Sequence, residues 1–192
     1  VVIWGRRADR NKEAEELLLA AGAPRVWSQT VDVSVEAQVV DGMAAAVAHY
    51  GADGIELTGM VFNDRGFDRA VLSGCRSLAF GAAVSETFSR RNTHNSPAEA
   101  MSTARRLVAR AQAAGLRTRF YVMTAWICPF EGPVSPHKTM AVVQEIADWG
   151  VDEIAVADTI GHADPLSVGR LIDRIARHID INRLAAHLHD TQ

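Results

Sequence analysis

Cysteine is scarce in this chain. Cys75 and Cys128 are the only two, too few for a disulfide framework, which points to a reducing compartment and a cytoplasmic location. A basic surplus is missing as well: Lys and Arg total 20 against 23 Asp and Glu, a formal net charge of -3, whereas nucleic-acid binders concentrate positive charge. No apolar run approaches the roughly 18 residues that span a bilayer. The short apolar start Val1–Trp4 precedes its basic residues, the reverse of a secretory signal. The expected partners therefore include no nucleic acid and no membrane. Disorder is excluded by an apolar share of 48%. No linker, low-complexity tract or composition shift divides the chain, so residues 1–192 read as a single domain.

What is present is alternation. Strand-like runs at Gly54–Phe62, Ser77–Val84, Arg117–Thr124, Val151–Ala157 and Leu184–His187 are separated by helical patterns, the order of a parallel sheet. Ser96-Pro97-Ala98-Glu99 is a capping box with proline at the first helical position. Met101, Ala104, Leu107, Val108 and Ala111 then fall on one face before Gly115 ends the helix. Ser135-Pro136 opens a second helix with Val142, Val143 and Ile146 inward and Gly150 after it, and Asp164-Pro165 opens a third with Leu171, Ile172, Ile175 and Ile179 inward. Nearer the N-terminus, Asn11–Ala21 and Ser34–Tyr50 read as helices and Arg25–Gln29 as a strand.

Strands beginning at 117, 151 and 184 recur at about one βα unit of 30–35 residues, the spacing of a (β/α)8 barrel. A doubly wound open sheet shares that alternation, but no glycine-rich phosphate fingerprint follows any strand. A full barrel takes about 250 residues. The expected fold is therefore an α/β TIM barrel, incomplete at its N- and C-terminal ends. Unpaired strand edges in such a barrel favour pairing with another chain, a homo-oligomer included.

The residues with chemistry gather at strand ends. His187 and His189 lie at i and i+2 of the last strand, so both rings point to one face, inward at the mouth of a barrel. That makes half a metal site, although a packed or solvent-facing pair has the same spacing. Asp158-Thr159 follows the strand Val151–Ala157, where the two side chains either meet a substrate or a histidine's second nitrogen, or cap the next turn. Glu86, after Ser77–Val84, has the same two readings, the second being a surface pair with Arg90 or Arg91. Cys128 lies in a long loop where nothing local activates a thiol, and it reads as structural.

Taken together, the blocks Phe80–Asn92 (FGAAVSETFSRRN), Cys128–Pro136 (CPFEGPVSP), Asp158–Gly161 (DTIG) and His187–Gln192 (HLHDTQ) resemble, in order and spacing, the hydroxymethylglutaryl-CoA lyase family of metal-dependent barrel lyases and synthases. The resemblance implies cleavage of an acyl-CoA substrate to acetyl-CoA and acetoacetate. It makes His187 and His189 ligands of a divalent ion, Mg or Mn, and gives His187 and Asp158 catalytic roles. Thr159 and Glu86 become substrate-binding. Related synthases carry His-x-His-Asn-Asp at the last strand, whereas Asp190 here is followed by Thr191, which favours the lyase branch. At the first strand the family has Arg-Asp-Gly where this chain has Gly5-Arg6-Arg7-Ala8-Asp9-Arg10, so Asp9 is the available oxygen ligand there. The family's second-strand Glu has no counterpart in Arg25–Gln29. The alternatives are an acetyl-CoA/2-oxo acid condensing synthase of the same barrel, and a non-catalytic degenerate barrel.

Overall fold

Helix boundaries follow the capping chemistry. In a computed structural model that describes residues 2–50 and 58–189, the Ser96 hydroxyl accepts from the Glu99 N–H at 3.2 Å and the Glu99 carboxylate accepts from the Ser96 N–H at 2.7 Å. Two amide donors that a helix start leaves without intrahelical partners are thereby satisfied. Gly115 and Gly150, at φ 68 and 73, take the left-handed turn after their helices that a side chain would resist.

The contacts of the chain cluster into two units, Val1–Leu57 and Thr58–Gln192. In the first, strand β1 (Val2–Gly5) pairs in parallel with β2 (Trp27–Thr30), accompanied by helices α1 (Ala8–Ala20) and α2 (Glu36–Tyr50). Buried Asn11 on α1 ties the strand ends, donating from Nδ2 to the Gly5 carbonyl at 3.1 Å and the Gln29 carbonyl at 2.8 Å. Asp9 pairs with Arg7 at 3.0 Å on the surface of this unit, and the Arg7 hydrogen bond holds its carboxyl below the ordinary range.

The second unit is built on a five-stranded parallel sheet in the order β3 (Thr58–Met60), β4 (Ser77–Ala83), β5 (Arg117–Met123), β8 (Glu153–Ala157), β9 (Leu184–His187). Helices α3 (Asp64–Leu72), α4 (Glu86–Thr93), α5 (Pro97–Ala113), α6 (Pro136–Asp148) and α7 (Pro165–Ile175) alternate with the strands. Leu78, Phe80, Phe120, Val122, Ile154 and Val156 belong to the same buried core as Leu107, Val108, Val143, Ile146, Leu171 and Ile175 of the helices. The residues between them in sequence, among them Arg119, Tyr121 and Ala157, therefore occupy the opposite face.

The expected strand Gly54–Phe62 is described as Thr58–Met60, and its residues 54–57 lie outside the described residues. Helices α3 and α4 were given no bounds in the sequence reading, and the long loop after β5 contains a two-residue antiparallel pair, β6 (Ile127–Cys128) with β7 (Gly132–Pro133). Helix α4, with the sequence ETFSRRNT, lacks an apolar stripe. Its start is fixed from 44 residues away, where the Glu131 carboxylate accepts from the Thr87 N–H at 2.5 Å. That bond holds the Glu131 carboxyl below its ordinary range.

Candidate functional site

Parallel strands carry their C-terminal ends to one side of a sheet. Within the second unit a cavity of about 450 Å³ opens against the sheet face opposite the helices. Met60, Ala79, Met123 and Ala157 give it an apolar wall, and Thr58, Arg119, Tyr121, Thr159, His187 and His189 supply its polar groups. Both histidines therefore line one space. Their rings stack with centroids 4.9 Å apart and planes 28° apart.

His187 ends β9 opposite Ala157 of β8, and its carbonyl accepts from the Asp158 N–H at 2.9 Å. The Nδ1 of His189 lies 2.6 Å from the Asp158 carbonyl oxygen. Because a carbonyl only accepts, Nδ1 carries the proton, and the neutral ring keeps its lone pair at Nε2. A metal-ligating histidine is typically oriented by such a bond. Among the described residues, no group of three or more His, Cys, Asp or Glu side chains is placed to hold a metal ion.

The Asp158 side chain is occupied elsewhere. It is 2% exposed, and its two carboxylate oxygens accept from the N–H groups of His162 at 3.2 Å and Ala163 at 3.0 Å. It caps the turn after β8 and is not among the cavity's lining side chains. Glu86 also stands outside the lining, ion-paired with Arg90 at 2.6 Å on the surface of α4. Thr159 does line the cavity. Its Oγ1 accepts from the Thr124 N–H at 2.7 Å, which leaves the hydroxyl proton to donate. Cys128 is buried, and its sulfur accepts from the Phe130 N–H at 3.4 Å.

Thr124, directly after β5, has φ 53. A β-branched residue in the left-handed region costs about 1–3 kcal/mol and persists where its surroundings over-determine it. Here the Thr124 hydroxyl donates to the Met123 carbonyl at 2.7 Å, so the Ser85 hydroxyl, 3.0 Å away, donates to Thr124. Ser85, Thr124 and Thr159 thus join the ends of β4, β5 and β8. The bonds of Asp158 with His187 and His189 continue the connection to β9, and Glu131 with Thr87 adds the β6–β7 loop. The four sequence blocks are tied together by hydrogen bonds.

The polar lining residues Thr58, Arg119 and Tyr121, and Glu153 beside Arg119, were not singled out from the sequence. Arg119 pairs in register with Glu153 of β8 and donates to its carboxylate, and that hydrogen bond raises the Arg119 pKa. A second guanidinium N–H reaches the Tyr121 hydroxyl at 3.1 Å. The phenol accepts from Arg119, so its own proton is available to the cavity, and its ring meets His187 edge-on at 5.9 Å. The available signal was the alternation in Arg117–Met123, where 118, 120 and 122 are buried and 119, 121 and 123 share the other face.

Residues 36–192 match the family model described as HMGL-like. Hydroxymethylglutaryl-CoA lyase of Pseudomonas mevalonii is 37% identical over 139 residues, covering 72% of this chain and 46% of that protein. Among solved structures, the HMG-CoA lyase from Brucella melitensis matches with a TM-score of 0.76 at 27% identity, covering 97% of this chain and 67% of that one. An Acinetobacter baumannii HMG-CoA lyase in complex with coenzyme A and 3-methylmalate matches with a TM-score of 0.68 at 28% identity, covering 72% of this chain and 45% of that one. The chain spans about half the length of the curated relatives it matches. Its α/β architecture is part of a (β/α)8 barrel.

Proposed function

The chain belongs to the HMGL-like family, and from that premise we propose that it contributes the His-x-His wall of a carbon–carbon lyase acting on 3-hydroxy-3-methylglutaryl-CoA. The observation that carries the reading is the pair of adjacent imidazoles on one cavity, one of them fixed by the Asp158 carbonyl so that Nε2 faces away from its protein partner.

The reaction removes the proton of the tertiary 3-hydroxyl and breaks the C2–C3 bond. The electron pair moves to C2 as the thioester enolate, which then takes a proton to give acetyl-CoA, leaving acetoacetate. Negative charge develops at oxygen atoms, and the cavity offers donors for them. Thr159 and Tyr121 each present a hydroxyl proton, and Arg119 adds a guanidinium whose charge is shared with Glu153. Met60, Met123 and Ala157 give the same cavity an apolar wall.

Two adjacent imidazoles on one cavity are nitrogen donors for a divalent ion, and the choice of Mg or Mn rests on the family. His187 and His189 would hold it, and when bound it supplies Lewis acidity and a template for the substrate oxygens. In this reading Asp158 positions His189 through its main chain. Asp9, paired with Arg7, has no role in it. The acyl-CoA substrate is the one partner this reading requires. No helix among the described residues is long and apolar enough to cross a membrane.

The test is acetoacetate release from hydroxymethylglutaryl-CoA by the full-length protein, with and without chelator, alongside His187→Ala. Activity abolished by chelator and by the substitution is the expected result. An enzyme indifferent to both, or one that only condenses acetyl-CoA with a 2-oxo acid, overturns the proposal.

A further inference from the structure

A second cavity of about 510 Å³ lies between the β6–β7 loop, the first residue of α6 and helix α7, and shares no lining residue with the first. Its volume falls within the roughly 300–1,000 Å³ of small-molecule sites. Trp126, Ile127 and Leu171 form apolar parts of its wall, and Arg170 and Arg174, one turn apart on α7, supply its positive charge.

The two arginines have no acidic partner among the described residues. Arg174 donates to Nδ1 of His137 at 3.2 Å, and a ring nitrogen that accepts from a guanidinium belongs to a neutral imidazole, which adds no countercharge. The acid on this cavity, Asp164, sets one negative charge against two guanidiniums and is engaged through one oxygen. Its Oδ1 accepts from the Leu166 and Ser167 N–H groups at 2.9 Å each as the N-cap of α7. Like charges at i and i+4 on one helix face repel each other, so the arrangement gains from an anion brought from outside. Guanidinium groups bind carboxylate and phosphate oxygens in pairs, and the Trp126 wall accommodates a hydrocarbon body.

We propose that this groove is a binding site for an amphipathic organic anion, its carboxylate or phosphate head held by Arg170 and Arg174 and its apolar body against Trp126, Ile127 and Leu171. The lyase chemistry proposed above makes no use of these groups, so the two readings stand or fall separately.

Calorimetric titration of the full-length protein with octanoate and with octyl phosphate tests the site, with octanol and inorganic phosphate as the head-free and tail-free comparisons. The variant is Arg170→Gln/Arg174→Gln, at one exposed and one half-buried position, and its fold is checked by circular dichroism. Saturable binding of at least one amphiphile, weakened about tenfold or more in the double variant and by loss of either head or tail, is expected. Which amphiphile binds more tightly distinguishes a carboxylate from a phosphate source. Equal affinity in wild type and double variant overturns the proposal. So does the absence of saturable binding by either amphiphile, or inorganic phosphate binding as tightly as octyl phosphate.

Discussion

The Nδ1–H of His189 donates to the backbone carbonyl of Asp158 across 2.6 Å, while the Asp158 N–H donates to the carbonyl of His187. The main chain of one residue therefore sets both the ring tautomer of the second histidine and the strand end that carries the first. Asp158 matters to the site through its backbone, and its carboxylate matters through the turn at His162 and Ala163.

That division predicts the outcome of Asp158→Asn. The amide offers one acceptor oxygen where two N–H groups are now accepted, so one half-buried donor loses its partner at a cost of about 1 kcal/mol. Chemical denaturation should show this loss of stability in Asp158→Asn, with a similar or larger one in Asp158→Ala. A variant of wild-type stability that had lost all turnover would instead assign the carboxylate a direct chemical role.

Thr124 gives a second contrast. Thr124→Val and Thr124→Gly both leave the Ser85 hydroxyl without its acceptor, but Val keeps a branched side chain in the left-handed region whereas Gly removes the backbone strain. The lost hydrogen bond cancels between them, so the strain alone makes Thr124→Val the less stable of the two, by about 1–3 kcal/mol. Thermal melts of the pair check this, and the reverse order contradicts the assignment of strain.

Tyr121→Phe retains the ring edge against His187 and removes the phenol that Arg119 orients. In the full-length enzyme, kcat/KM for hydroxymethylglutaryl-CoA should fall about tenfold, the effect of one lost hydrogen bond of about 1.4 kcal/mol. Affinity for the divalent ion should not change. A fall in metal affinity with kcat/KM preserved would move Tyr121 from substrate binding to support of His187.

Much of this arrangement was legible in the residue order. The expectation that His187 and His189 share one cavity agrees with the lining, although β9 ends at His187 and the Asp158 carbonyl holds the His189 ring, and the capping residues at 96, 135 and 164 located three helix starts. What escaped has a common cause, dependence on distant partners. Helix α4 begins where Glu131 meets Thr87, the conformation of Thr124 is one that local preference disfavours, and Arg119 finds its counterion 34 residues away in Glu153. Asp158 was ambiguous because a turn cap and a catalytic carboxylate share the same place after a strand.

Acid stability should report a clip outside the site. On α3, Asp64 accepts from Arg106 and Arg110 of α5, and these partners, Arg106 foremost, bring its carboxyl from 3.8 down to about 2. With the folded value lowered, the stabilisation is fully present above the ordinary pKa and is lost as pH falls from about 4 toward 2. Asp64→Asn should flatten the decline of stability over that window. Equal slopes for the two proteins in denaturant titrations at stepped pH would show that the clip contributes nothing.

The central claim concerns two nitrogen donors on one ion, and pulsed electron spin resonance of Mn(II) bound to the full-length protein reads them directly. The account predicts nitrogen-14 couplings from two imidazoles, reduced to one in His189→Ala and in His187→Ala. Bound Mn(II) with no nitrogen coupling, or with couplings that neither substitution alters, would contradict it.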